Sequence, residues 1–314
     1  MIKQTLYFGN PVFLSLRDKQ LVIKYPELEM ANASAKSPID GYPITRPIED
    51  IGVVILDHQQ ITITHALIGA LVDNNVAIVT CDKKSMPTGL LLNLNGNTEQ
   101  SEKFRSQINA SAPLKKNLWQ QTVRAKITNQ AYALENVAGI KASNLKAWIP
   151  DIKSGDPDNY EARAAAFYWR NFFSKLIPDF RRGREENPPN NLLNYGYAIL
   201  RAVIARNLVG SGLLPTLGIH HRSKYNAYCL ADNIMEPYRP IVDIMVYKIV
   251  SSGKDYSSLT TELKRELLAI PSVDVNILDK RSPLLVGAAR TTASLARCFS
   301  GESRQIAYPS LEND

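Results

Sequence analysis

The period of the hydrophobic pattern changes once along this chain, and that change constrains the fold more than any other feature. Up to about residue 90, apolar residues come in short runs rich in Val, Ile, Leu and Thr: Gln4 to Phe8, Val12 to Leu16, Gln20 to Lys24, Ile51 to Leu56, Ile61 to Thr64 and Val76 to Thr80. Gly-Asn, Asp-Lys, Pro and Asp-His punctuation bounds these runs, as turns bound strands. His65 to Val72 reads as a short helix, and the polar interval Pro26 to Pro47 as a long loop or hairpin tip. From about Glu99 the repeat lengthens to 3.6 residues, with Phe104, Ile108, Trp119, Val123, Ile127, Ala131 and Leu134 recurring at helical steps.

Within the helical part, Asp158 stands as a plausible N-cap with Glu161 three residues on, ahead of a helix from Ala162 to Ile177. Asn190 to Val209 is apolar on nearly every face and reads as a buried helix. Tyr225 to Met235 leads into Glu236-Pro237-Tyr238-Arg239-Pro240, where two prolines interrupt the hydrogen-bond ladder before Ile241 to Val250 resumes, so a kinked helix pair is expected. At 314 residues and 45% apolar composition, the chain is long enough for two domains, each with its own core. The expectation is an α+β protein: a small β-rich, sandwich-like domain over 1–90, a larger all-α domain over 91–300, and a flexible polar tail over 301–314.

No apolar run approaches the roughly 18 residues of a membrane span, and the start lacks the pattern of a secretory leader, so the expected compartment is the cytoplasm, with no membrane partner. Cys81, Cys229 and Cys298 are few and far apart, which fits neither a disulfide framework nor a zinc site. Residues 1–96 carry 8 basic and 9 acidic side chains, and the remainder 29 and 21. The positive excess therefore lies entirely in the helical part, as phosphate neutralisation requires.

The common nucleotide-loop, dinucleotide, zincin and hydrolase motifs are missing, so any chemistry rests on dispersed residues. Glu161 is either a capping-box carboxylate or a ligand. His220 and His221 follow a proline-containing turn, and adjacent side chains diverge, so one of the two would face a site. Glu236 precedes Pro237 and is either a helix-end charge paired with Arg239 or a ligand. One imidazole with two carboxylates suits Mn²⁺ or Mg²⁺, and also zinc. Arg181, Arg182, Arg184, Arg222, Lys224 and Arg239 flank these residues, either as a solvated basic face or as DNA contacts.

Four ordered blocks carry a resemblance: Asn159-Tyr160-Glu161-Ala162-Arg163-Ala164-Ala165 with Tyr168-Trp169; Asn187 to Tyr197; Leu217-Gly218-Ile219-His220-His221; and Asp232 to Asp243. Together they resemble the CRISPR-associated spacer-acquisition nuclease-integrase family over nearly the whole chain, and the last two look like members from systems with a single large effector nuclease. The resemblance implies a β-rich domain that mediates homodimerisation and a helical catalytic domain with Glu161, His221 and Glu236 as catalytic metal ligands for Mg²⁺ or Mn²⁺. His221 is preferred to His220 because the family's histidine is the fourth residue of its Gly-x-x-His block. Many relatives carry an aspartate where this chain has Asn233, with Asp232 displaced by one, so an auxiliary carboxylate is left open.

The implied partners are double-stranded DNA, a second copy of the chain, a small ferredoxin-like adaptor bridging two dimers, and an RNA-guided effector nuclease. The implied reaction is attack of a spacer 3′-hydroxyl on a repeat phosphodiester. The rival readings are a general metal-dependent nuclease on branched DNA and a non-catalytic DNA-binding scaffold.

Overall fold

The structure, a computed structural model, describes residues 3–34, 41–183, 186–220 and 223–311. The chain divides into two compact units, at Gly96 and Asn97.

The first unit runs β1 (Gln4–Phe8), β2 (Val12–Arg17), β3 (Gln20–Lys24), α1 (Pro26–Ser34), β4 (Ile44–Pro47), β5 (Ile51–Leu56), β6 (Ile61–Ile63), α2 (His65–Asp73), β7 (Ala77–Cys81) and β8 (Pro87–Leu91). Among the described residues these strands form two four-stranded sheets, ordered β1-β5-β7-β8 and β4-β3-β2-β6. β1, β5 and β7 run parallel, and Ile51 to Ile55 of the central β5 are all buried, the continuous apolar run that a two-sided strand needs. Asp18 and Lys19 both have left-handed backbone (φ 50° and 60°), the two-residue turn that matches the twist of the β2–β3 hairpin. Leu14, Leu21 and Ile23 from one sheet, Ile51, Val54 and Ile78 from the other, and Leu67 and Leu71 of α2 share one core.

The interval Pro26 to Pro47 is not simply a loop. Pro26 opens α1, where its missing N–H costs nothing, and β4 adds an edge strand to β3 with Pro47 at its end. Neither element carries an apolar rhythm, which is why the polar composition concealed them.

The second unit contains α3 (Gln100–Ile108), α4 (Ala112–Tyr132), α5 (Ser143–Trp148), α6 (Tyr160–Phe172), α7 (Asn190–Gly210), α8 (Cys229–Met235), α9 (Arg239–Ser251), α10 (Thr261–Leu267), β9 (Asp274–Ile277), β10 (Lys280–Pro283) and α11 (Leu284–Ser300). It is not all-α. β9 and β10 pair antiparallel through Leu278 and Asp279, both with left-handed backbone, and bury Val275 and Ile277 on one face. α7 is buried along most of its length and crosses α9 so closely that a Cβ on Gly196 would lie 2.5 Å from Val242 Cγ1. Pro237 lies in a single 3₁₀ turn, Glu236–Tyr238, and Pro240 in the first turn of α9, so the two prolines make the junction between α8 and α9.

Residues 301–311 are not a free tail. They return across α4 with Ile306 and Leu311 buried. The Ile306 N–H donates to Gln121 Oε1 (2.9 Å) and the Ala307 N–H to Ser294 Oγ (2.9 Å). Polar composition hid this segment because its attachments are mostly hydrogen bonds through its backbone, with only Ile306 and Leu311 as spaced apolar anchors and the Tyr308 hydroxyl paired with Thr122 Oγ1 at 2.7 Å. Asn129 of α4, fully buried, is its anchor: its amide donates to the carbonyls of Pro237 (2.8 Å) and Pro309 (3.0 Å), and its oxygen accepts from the Leu311 N–H (3.1 Å).

Asn129→Ala leaves these buried groups without their side-chain partner and is expected to cost about 3 kcal/mol or more. A denaturant midpoint equal to that of the wild type would show that the anchor contributes nothing.

Candidate active site

α4 presents Trp119 and Lys126 seven residues apart, two helical turns along one face. Lys126 is only 6% exposed, a placement that a lysine keeps only when its charge is paired. Its Nζ contacts Glu161 Oε1 and lies 2.6 Å from Glu236 Oε2, while Arg239 Nη2 lies 3.1 Å from the other oxygen of Glu236. Burial works against the ammonium, but Glu236 and then Glu161 outweigh it and hold the Lys126 pKa above the ordinary lysine value.

Each carboxylate is delivered by a distinct local device. Glu161 lies in the first turn of α6, but it is not the cap. The cap is Asp156, whose two oxygens accept from the backbone N–H groups of Tyr160 and Glu161, both at 2.9 Å. Asp158, expected there, pairs instead with Lys153 at 3.1 Å. Asn159 enters the helix with left-handed backbone. Freed from capping, the Glu161 side chain reaches Lys126. Glu236 is set by the proline-bounded turn between α8 and α9 and is 5% exposed.

Behind the carboxylates lies a buried polar relay. The Arg239 guanidinium sits over the Tyr197 ring, 4.8 Å from its centroid. The Tyr197 hydroxyl donates to Asp243 Oδ1, and the Tyr168 hydroxyl donates to Asp243 Oδ2 at 3.0 Å. Arg182 covers the same Tyr197 ring at 5.3 Å and donates to Asn190 (2.9 Å) and Asn194 (2.8 Å). Burial pushes Asp243 up to about 7, against the opposing pull of the two tyrosine hydrogen bonds and the two arginines.

The residues expected from sequence fare differently. Glu161 and Glu236 converge on one cationic atom. His221, Arg184 and Arg222 lie outside the described residues. His220 stacks face to face on Trp119, with ring centroids 4.3 Å apart. Asn233 is fully buried, and its oxygen accepts from the N–H groups of Ile219 (3.0 Å) and His220 (3.1 Å), so it clips the approach to the histidine pair. Asp232 is taken up by Arg201 (2.6 Å) and Asn226 (2.6 Å). Arg182 and Arg239 commit their guanidinium groups to partners inside the fold, whereas Arg181 and Lys224 are exposed.

Lys126, which is central to the arrangement, was missed from sequence. Its signal was a lysine three residues after Val123 on the buried face of α4. Among the described residues, no group of three or more His, Cys, Asp or Glu side chains gathers around one point. Two carboxylates already hold a positive charge between them, however, and hard oxygen donors of this kind fit Mg²⁺ or Mn²⁺.

Asp243 gives a pH test. Between its ordinary value of 3.8 and about 7, the folded chain keeps a proton that the unfolded chain has released. The stability from this group is therefore full below about pH 4 and is lost as pH rises to about 7. Wild-type stability is expected to fall more from about pH 5 to about pH 8 than that of Asp243→Asn; equal slopes in denaturant titrations would contradict the assignment.

The family model described as CRISPR associated protein Cas1 matches residues 8–264. A protein of Neisseria meningitidis serogroup C (strain 8013), named CRISPR-associated endonuclease Cas1, is 33% identical over 313 residues, 99% of this chain and 97% of its own. Among solved structures, a casposase bound to integration product superimposes with a TM-score of 0.75 at 19% identity, over 98% of this chain and 92% of that one. A chain of a Cas6-RT-Cas1–Cas2 complex superimposes with a TM-score of 0.73 at 19% identity, over 96% of this chain and 35% of that one. The strand-rich first unit and helical second unit agree with these folds, and the chain belongs to the Cas1 family.

Proposed function

We propose that the chain is a CRISPR-associated endonuclease and integrase that joins a DNA 3′-hydroxyl to a repeat phosphodiester, using Mg²⁺ or Mn²⁺ held by Glu161, Glu236 and His221. The observation that carries this reading is the convergence of two carboxylates from distant segments on one cation, Lys126 Nζ. Membership of the Cas1 family and the endonuclease name of the Neisseria meningitidis relative support the substrate class.

A divalent ion at this site supplies Lewis-acid polarisation of phosphoryl oxygen and stabilises charge on the attacking or leaving oxygen. The chain's own residues do the rest. Asp156 and the proline-bounded turn fix the two carboxylates before substrate arrives. Arg181, Lys224 and the charge excess of the helical part attract the phosphate backbone without reading its sequence. The attacking 3′-oxygen forms a new ester to phosphorus as the repeat strand's 3′-oxygen leaves and takes up a proton. One phosphodiester replaces another, and no covalent protein intermediate is required.

The assembly proposed for this function is a homodimer through the β-rich unit, with a small ferredoxin-like adaptor bridging two dimers. The likeness to a chain of a Cas1–Cas2 complex supports such a partner. The proposed compartment is the cytoplasm; among the described residues, no helix is long and apolar enough to cross a membrane.

The test is strand transfer. A labelled short duplex and a supercoiled repeat-bearing plasmid are incubated with the protein, with and without its adaptor, in Mn²⁺ or Mg²⁺. Label is expected to join plasmid with wild type, and joining is expected to fall at least roughly a hundredfold with Glu161→Ala, His221→Ala or Glu236→Ala. Nicking without joining would reduce the protein to a general nuclease, and binding alone to a scaffold.

A further inference from the structure

Lys126 lies where the proposed ion would compete with it. Its side chain is 8% exposed and that of Glu236 6%, so charges here interact through a poorly screened interior. The local charges balance in the structure: Glu161 and Glu236 face Lys126 and Arg239. A divalent ion taken up by the same carboxylates upsets that balance by two positive charges and removes the reason for the ammonium to stay between them.

The geometry points to Lys126 as an internal counter-ion that occupies the carboxylate pair without metal and is released from it when a divalent cation binds. The inference rests on the reading that Glu161 and Glu236 hold such an ion. It adds a positioning role and a consequence. Released from the carboxylates, the ammonium joins Arg239 in giving the site an excess of positive charge, which a phosphodiester then neutralises. Metal therefore prepares the site for DNA, and by linkage DNA strengthens metal binding by the same factor.

Lys126 fits this exchange better than Arg239. Arg239 contacts one oxygen of Glu236 and is retained from behind by the Tyr197 ring. Lys126 bridges both carboxylates, and its flexible four-carbon stem lets the charge move without disturbing α4.

The test is calorimetric titration of Mn²⁺ into the full chain without DNA, comparing wild type, Lys126→Met and Glu161→Ala. Methionine keeps an unbranched stem and removes the charge. Lys126→Met is expected to bind Mn²⁺ at least roughly tenfold tighter than wild type, since a repelling charge within contact distance is gone, and Glu161→Ala more weakly. Unchanged or weaker binding by Lys126→Met, with Glu161→Ala still impaired, overturns the counter-ion role and leaves the metal reading standing. Equal binding by wild type and Glu161→Ala overturns the metal reading and this inference with it. A second measurement needs no variant: amine acylation of wild type, mapped by mass spectrometry, is expected to rise at Lys126 on adding Mn²⁺ while exposed Lys153 and Lys224 are unchanged. No rise at Lys126 overturns the inference.

Discussion

Two ionised carboxylates brought together away from water repel each other unless a positive charge lies between them. Taking charges out of water is expensive, and a buried ion left alone costs several kcal/mol. Lys126 resolves this for Glu161 and Glu236, and in doing so sets the register of three segments remote in sequence: α4, the first turn of α6, and the turn between α8 and α9. The clips around it hold the same parts. Asp156 fixes the start of α6, Asn129 ties α4 to the turn after Glu236, and Asn233 holds the chain leading into the histidine pair.

α6 and α9 are joined by a second rung. Tyr168 stands seven residues after Glu161, on the same helical face two turns along, and Asp243 stands four residues after Arg239. The Tyr168–Asp243 hydrogen bond thus runs beside the link from Glu161 through Lys126 to Glu236. Helices held at two rungs resist both rotation and sliding, which is what carboxylates need if they are to meet an ion with little rearrangement. Arg182 and Arg239 both pack on the Tyr197 ring of this framework. Their positive charge therefore stabilises the site from within and does not spread over the surface.

The sequence made the large divisions legible because they are periodic. The strands β1, β3 and β5 stand where the apolar runs stand, and α7 and the break at Pro237 follow from composition and from proline's missing donor. Elements without a rhythm were hidden. α1 carries Leu28 and Met30 but no apolar stripe, β4 is a short edge strand, and the β9–β10 hairpin turns on Leu278-Asp279 where no glycine signals it. The packed segment 301–311 is held mainly through backbone groups, which composition does not reveal.

At the site, the four sequence blocks pointed to Glu161 and Glu236, but not to what unites them. A lysine among apolar helix positions reads as an ordinary surface residue until its partners are known, and they lie 35 and 110 residues away. The cap of α6 falls on Asp156, not on Asp158 as the spacing suggests, for a related reason. Asn159 takes left-handed backbone, which turns the chain so that Asp156 meets the free N–H groups and leaves Asp158 to solvent and Lys153.

The most direct measurement is a crystal structure grown with Mn²⁺, with the ion located by its anomalous scattering. The account predicts a peak within coordinating distance of both Glu161 and Glu236, with the Lys126 ammonium displaced from between them. A peak elsewhere, or Lys126 still bridging both carboxylates at full occupancy beside a bound ion, would contradict it.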